Sequence, residues 1–328
     1  MSGPGKDYLT VFVPVYNGEK YLRSCIDAVL EQELPEGFEL ELLIIDSGST
    51  DTSVEIVRSY GEKLTFLQIP NSEFGHGKTR QYAATIAKGT FVVYLTQDAT
   101  PADRYWLRHM VEPFFVTPSV GCVFGRQIPR PFAVPIIKRE IIGVFGQFGE
   151  ADQIVLQRRG SLAPGKFENN GNGFFSDVNS AIRKDLNAKI PFRDLKYAED
   201  QALAEDMLSQ GYLKAYAPQG AVLHSNEYTV SEYKKRMFDE YCGLYASVGY
   251  DASPSRRALV YGWIKPTLHD IGFTLRDRQY TPYVKLKYSL LSVGYNIAKL
   301  QGMHLARKYR GDIDSHTKLS LEQSRKVK

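Results

Sequence analysis

Acidic residues stand where apolar runs stop. Asp46 follows Leu42-Leu43-Ile44-Ile45, Asp98 follows Phe91-Val92-Val93-Tyr94-Leu95-Thr96-Gln97, and Glu199-Asp200 opens a helix-like segment. In open α/β sheets, ligands bind outside the carboxyl ends of the strands, where Asp46 and Asp98 would lie. Asp46 can accept the imide N–H of a uracil or thymine ring, with Tyr16 from the neighbouring strand end stacking on that base. The plainer reading makes Asp46 a turn residue and Asp51 the N-cap of the next helix. Asp98 beside a diphosphate suits a hard divalent cation, since Mg²⁺ takes one or two carboxylates plus substrate phosphates. Asp200 and Glu199 either sit favourably at a helix dipole, or Asp200 acts as a general base on a hydroxyl. His224, in His224-Ser225-Asn226, either completes the metal site as a neutral imidazole or is a structural histidine.

A second group is basic. The run Ser72-Glu73-Phe74-Gly75-His76-Gly77-Lys78-Thr79-Arg80 ends in Gly-Lys-Thr and imitates a phosphate-binding P-loop, but that pattern needs Gly where Ser72 stands. The better account is a glycine-rich turn that places His76, Lys78 and Arg80 near a diphosphate, helped by a helix amino terminus. A surface ion pair for Arg80 is the alternative.

These positions need strands and helices to hold them. Periodicity predicts strands over 11–15, 41–45, 64–69 and 91–95, with helices over 20–32, 52–60 and 78–88 between them. That alternation implies a parallel sheet with helices on both faces. Val11–Gly18 (VFVPVYNG) and Leu42–Asp51 (LLIIDSGSTD) are its first two strand ends, and they mark a nucleotide pocket formed with Pro14, Val15, Tyr16, Asn17, Asp46, Ser47 and Ser49, with Gln97 a further nucleotide contact. Further on come a Pro/Arg-bearing loop at 129–133, a helix over 136–145, a Gly/Asn turn cluster at 169–173, a helix over 198–210 and short strands over 213–217 and 221–224. Helices over 231–248 and 283–309 follow, joined by a Tyr/Pro/Arg-rich connection. The expected fold is α/β, a Rossmann-like mixed and mainly parallel sheet with flanking helices. A catalytic domain would span 1–228 and a helical extension 229–328.

The 328 residues are 43% hydrophobic and 24% charged, the balance of a soluble globular chain. No stretch approaches the ~18 consecutive apolar residues of a spanning helix, and the first residues lack the apolar run of a signal peptide. Cys25, Cys122 and Cys242 are odd in number and lack metal spacing, as expected of buried thiols in a reducing cytoplasm. From Thr229 onward there are 18 Lys and Arg against 9 Asp and Glu, whereas the preceding part is net acidic. Nucleic acid or an anionic membrane surface would each match such a basic end.

Taken together, Val13-Pro14-Val15-Tyr16-Asn17, Asp46-Ser47-Gly48-Ser49-Thr50-Asp51, Asp98 and Glu199-Asp200 resemble the GT-A family 2 glycosyltransferases across roughly 9–227. Phe74-Gly75-His76-Gly77-Lys78-Thr79-Arg80 and Leu95-Thr96-Gln97-Asp98-Ala99 look like the rhamnosyltransferase branch of that family. The resemblance implies a GT-A fold, a divalent metal (Mn²⁺ or Mg²⁺) on Asp98 and His224, inversion at the anomeric carbon, and dTDP-L-rhamnose as donor. It also implies a lipid-linked saccharide acceptor in bacterial surface-polysaccharide synthesis, with no nucleic acid partner. Two departures stand out: the DxD motif is reduced to Thr96-Gln97-Asp98, and the QxxRW signature of processive synthases is missing after Asp200. A distributive enzyme is expected, cytoplasmic or peripheral on the inner face of the cell membrane. Another family 2 donor such as a UDP-hexose, a P-loop phosphotransferase and a non-catalytic nucleotide-sugar-binding protein are the competing readings.

Asn179, Ser180 and Trp106 are further candidates for the sugar or acceptor side, with core packing the alternative for Trp106. The basic helix over 283–309 carries Leu286, Leu290, Val293, Ile297 and Leu300 at near-helical spacing, so it either rests on an anionic bilayer or packs on the catalytic domain or a second subunit.

Overall fold

A computed structural model describes residues 7–160, 174–251, 254–309 and 316–326. The turn cluster expected at 169–173 lies outside the described residues. Strands β1 (Asp7–Val15), β2 (Phe38–Asp46), β3 (Thr65–Gln68) and β4 (Phe91–Leu95) alternate with helices α1 (Leu22–Leu30), α2 (Ser53–Arg58) and α3 (His76–Ile86). Then follow β5 (Thr100–Pro101), α4 (Trp106–Val116), β6 (Val120–Ile128), α5 (Pro135–Phe145), β7 (Val155–Gln157), β8 (Asn179–Arg183), α6 (Lys184–Asn187), α7 (Glu199–Ser209) and β9 (Leu213–Leu223). The remainder is helical: α8 (Val230–Val248), α9 (Arg256–Tyr261), α10 (Ile264–Arg276), α11 (Pro282–Lys308) and α12 (Leu321–Lys326).

The strands form one sheet in the order β3-β2-β1-β4-β8-β6-β9-β5, with β7 paired to β9. The first four are parallel, as their near-continuous apolar sequences predict. Strand β8 enters antiparallel between β4 and β6, which makes the sheet mixed. The two short strands expected over 213–217 and 221–224 are one strand, β9, whose pairing with β6 is broken by register shifts. Such irregularities interrupt the period-two pattern by which a strand is read from sequence.

Two compact units separate, residues 1–128 with 145–224 and residues 129–144 with 225–328. In the first, Leu9, Val11, Val13 and Val15 of β1 pack with Leu22, Cys25, Ile26 and Val29 of α1 and Trp106, Leu107 and Met110 of α4. Each such side chain contributes about 1.5–3 kcal/mol relative to exposure. The alternate side of β1 presents Phe12 edge-on to Tyr94, which meets Phe192 in turn. In the second unit, Val134, Ile136 and Ile137 of α5 pack with Tyr233 and Met237 of α8 and Tyr295 and Ala298 of α11. A capping box between Thr229 and Glu232 starts α8.

Candidate active site

The ends of β1 and β2 are laced together by their own loops. Asn17 adopts a left-handed backbone (φ 48°), which Asn tolerates better than most residues. Its Oδ1 accepts from Thr50 N at 2.8 Å, and its N–H donates to Ser49 Oγ at 2.9 Å. Gly18 N donates to Ser53 Oγ, and Glu19 N to Asp51 Oδ2. Asp51 also accepts from Ser53 N, so it ties both loops at the head of α2. Ser47 is buried and donates through both N and Oγ to the carbonyl of Val15. Pro14 and Val15 pair with Ile45 and Asp46 in the sheet.

Two sequence expectations change here. Asp46 is fully buried, and its oxygens accept from Gly48 N, Ser49 N and Ser49 Oγ. It shapes the loop and leaves no open face for the imide contact expected of it. Gln97 is not free to meet a nucleotide either. Its amide accepts from Tyr16 N and donates to Tyr16 O, each at 2.9 Å, and so extends the β1–β4 pairing past the strand ends. A methyl group on Gly18 would sit 2.3 Å from Gln97 Oε1, so only glycine lets this clamp close. Tyr16 stays half-buried and Asn17 exposed at the mouth of the loops.

Asp98 follows β4, and its Oδ2 lies 3.5 Å from His224 Nε2 at the end of β9, with side chains 34% and 5% exposed. They meet because β5, just after Asp98, pairs antiparallel with the last residues of β9. His224 Nδ1 lies 2.9 Å from Gln127 Oε1, an acceptor. With a proton on both nitrogens the ring pairs with Asp98; with its proton on Nδ1 alone it would present the Nε2 lone pair, beside Asp98, to a cation. Although burial opposes ionisation of Asp98, the His224 charge, hydrogen bonds from His224 and Thr96 and one backbone bond hold its carboxyl well below the usual range. Among the described residues no cluster of three or more His, Cys, Asp or Glu forms a metal cage. An oxygen and a nitrogen donor side by side nonetheless fit a hard cation whose remaining positions go to phosphate and water.

A carboxylate cluster forms around α3 and α7. Arg80 of α3 is buried; its Nη1 reaches Glu199 Oε1 at 2.5 Å and its Nε lies 3.0 Å from Asp177 Oδ2. This corrects the diphosphate contact expected of Arg80, because the guanidinium is enclosed by carboxylates. Glu199 is also buried and held by Arg80, a supporting position. Asp200, next in α7, is half-buried; it accepts from Gln201 N at 2.7 Å and from Asp177 N at 3.1 Å. Burial raises the Asp200 carboxyl well above the usual range, the charges on Glu199 and Asp177 raise it further, and Arg80 pulls it back. Ala198, just before this pair, takes a left-handed conformation (φ 62°), the kind of strain that collects at functional sites.

The cluster and the Asp98–His224 pair are joined, since Gln127 Nε2 donates to Ser176 Oγ at 3.2 Å, one residue before Asp177. Neither Asp177 nor Gln127 was anticipated. The available signals were an acid inside the apolar run Phe174-Phe175-Ser176-Asp177-Val178 and a glutamine near the end of the apolar strand β6. His76 begins α3 and packs edge-on against Phe74, while Lys78 is exposed on the first turn. Asn179 is buried, accepting from Trp106 Nε1 and donating to Gly220 O, and Trp106 is a core residue. Ser180 is likewise buried, donating to Asp177 Oδ1. These three support the sheet and do not line a sugar pocket.

The profile described as glycosyl transferase family 2 matches residues 10–190 of the chain. The chain belongs to glycosyl transferase family 2. Two relatives align over 70% of this chain and 70% of their own length: the O-antigen chain rhamnosyltransferase RfbN of Salmonella typhimurium at 27% identity and WbaN of Salmonella anatum at 30%. Among solved structures, the mannosyltransferase PcManGT of Pyrobaculum calidifontis in complex with GDP-Man and Mn²⁺ superposes with a TM-score of 0.53 at 18% identity, covering 97% of this chain and 84% of that one. TarS 1-349 of S. aureus in complex with UDP-GlcNAc gives 0.51 at 17%, covering 92% and 93%. The fold is GT-A and the protein is a glycosyltransferase. Family membership also removes the P-loop reading, and Lys78 sits on the outside of α3.

Proposed function

We propose that this family 2 enzyme transfers L-rhamnose from dTDP-L-rhamnose, with inversion, to a hydroxyl of a lipid-linked saccharide during surface-polysaccharide synthesis. One observation carries the chemistry: a half-buried carboxylate of raised pKa, Asp200, is joined through Asp177, Ser176 and Gln127 to the Asp98–His224 pair. A proton acceptor and a pair of cation donors are thus linked through one chain of residues. The two rhamnosyltransferase relatives support the choice of sugar.

Asp200 takes the proton of the acceptor hydroxyl as its oxygen bonds to the anomeric carbon. The sugar–diphosphate C–O bond breaks on the opposite face, and its electron pair leaves with the dTDP. Asp98 and His224 would hold a divalent cation, which neutralises charge on the departing diphosphate when bound. Tyr16 stacks on the base, and Lys78 and His76 at the start of α3 meet the phosphates. Arg80 and Asp177 position Asp200 and set its acidity.

Thermal stabilisation and donor hydrolysis across a panel of nucleotide sugars, with and without Mn²⁺, test the reading. The expected result is stabilisation by dTDP-L-rhamnose that increases with Mn²⁺. Stabilisation by UDP-sugars but not by dTDP-rhamnose would overturn the donor assignment.

A further inference from the structure

Helix α10 is amphipathic in the reverse sense. Its buried side carries Thr267, Asp270 and Thr274. Asp270 receives Arg139 Nε on one oxygen and Asn296 Nδ2, at 2.6 Å, on the other. Ser292 and Asn296 of α11 are buried too. The opposite side of α10 shows Ile264, Leu268 and Leu275 to solvent, with Leu268 64% exposed. At 3.6 residues per turn these three fall on one stripe. The first turns of α11 repeat the arrangement with Tyr283, Leu286 and Leu290, the two leucines 63% and 69% exposed. Lys285 Nζ donates to Leu275 O at 2.8 Å, while Asn296 reaches Asp270, so α10 and α11 run as an antiparallel hairpin. A groove of about 590 Å³ opens along α10 beside Leu268, Phe273 and Arg276.

Polar groups inside and leucines outside are both unfavourable in water, and exposed apolar patches of this kind mark interaction surfaces. Charge selects the occupant. Residues 254–290 contain seven Lys and Arg against two Asp. Both acids are ion-paired within the unit, Asp270 to Arg139 and Asp277 to Lys138. Arg256, Arg257, Lys265, Arg276, Arg278 and Lys287 are all exposed. A second copy docking through the same face would set these cations against themselves with no acid to answer them. An anionic lipid surface accepts both the leucines and the cations.

We infer that the outer face of the α10–α11 hairpin lies on an anionic bilayer, with its leucines at the headgroup–acyl boundary and its cations on lipid phosphates. Among the described residues no helix is long and apolar enough to cross a membrane, so the contact runs along the surface. The surface also differs from the one expected over 283–309. Val293, Ile297 and Leu300 are half-buried, and α10 supplies the other half.

The surface does not depend on the donor sugar, and its test needs no turnover. The full chain is sedimented with vesicles of phosphatidylglycerol and phosphatidylethanolamine and, separately, of phosphatidylcholine alone. The wild type should bind the anionic vesicles and not the neutral ones. Combined Lys265→Glu, Arg276→Glu and Lys287→Glu should weaken binding roughly a hundredfold. Combined Leu268→Ser, Leu275→Ser, Leu286→Ser and Leu290→Ser should weaken it at least about tenfold. Both variants should hydrolyse donor in solution at the wild-type rate, which shows that they are folded. Equal binding to both vesicle types, or wild-type affinity in either variant, would overturn the inference. So would a change from dimer to monomer in the serine variant, which would identify a second copy as the occupant. Failed vesicle binding with intact donor turnover sinks the surface alone; absent turnover with intact vesicle binding sinks the transfer reading alone.

Discussion

Asp200 titrates as a member of a group, because Asp177, Glu199 and Asp200 surround a single guanidinium. A base acts only when deprotonated, so transfer should rise with pH through the raised Asp200 pKa. Replacing Asp200→Asn should lower kcat by about 10²–10⁴-fold, while calorimetry still records dTDP binding; unchanged turnover would remove the base assignment. Asp177→Asn deletes a negative neighbour, makes Asp200 easier to ionise and should move the acid limb of the kcat/KM profile to lower pH. Arg80→Met deletes the positive neighbour and should move the limb to higher pH. It also strands buried carboxylates, at a cost of about 3–5 kcal/mol in stability readable by denaturant unfolding. If the two variants shift the limb in the same direction, electrostatic control of Asp200 is wrong. Stability runs in the opposite direction to activity. Carboxyls whose folded pKa is raised bind protons more tightly when folded, so their contribution is present at low pH and lost as pH rises through the folded pKa.

At the scale of elements, the site depends on strand ends being held in register by side chains. The Gln97 clamp extends the parallel β1–β4 pair, and Gly18 leaves it room. Gly18→Ala should displace the clamp and weaken dTDP binding by about tenfold or more, since a buried clash forces rearrangement of about 1–3 kcal/mol. Wild-type affinity measured by calorimetry would contradict this. Gln127 belongs to β6 yet orients the imidazole of His224, the residue that follows β9. Gln127→Leu should weaken Mn²⁺ binding by about 10–100-fold, read by electron paramagnetic resonance of free Mn²⁺ without any turnover. An unchanged affinity would mean that the ring orientation does not matter to the metal. Local sequence specifies these elements unevenly, for physical reasons. Strands β1, β2 and β4 are short apolar runs bounded by polar residues, so they were legible. Asp46 and Gln97 stand at the right strand ends, but their side chains turn back onto backbone, and strand periodicity does not report that choice.

At the scale of the molecule, the second unit is not a contiguous piece of chain. Helix α5 sends Lys138 to Asp277, Arg139 to Asp270 and Glu140 to Tyr233 and Lys299. It also contributes Val134, Ile136 and Ile137 to the core with α8 and α11. Residues 229–328 expressed alone should therefore lack a cooperative thermal transition by circular dichroism, and a sharp transition would show that α5 is dispensable. The sequence by itself determined the α/β alternation and the family, and it singled out Asp98, Asp200 and His224 as candidates. Each depends on residues close together in the chain, where period and strand ends are read directly. Only the tertiary structure decided that β5 and β9 bring Asp98 to His224, that Arg80 faces Asp177 and Glu199, and that α10 hides its polar side. Those contacts follow from strand order, from the antiparallel entry of β8 and from the pairing of β5 with β9. Residues distant in sequence acquire such neighbours only when the sheet is assembled, because no local pattern encodes which strands will lie side by side.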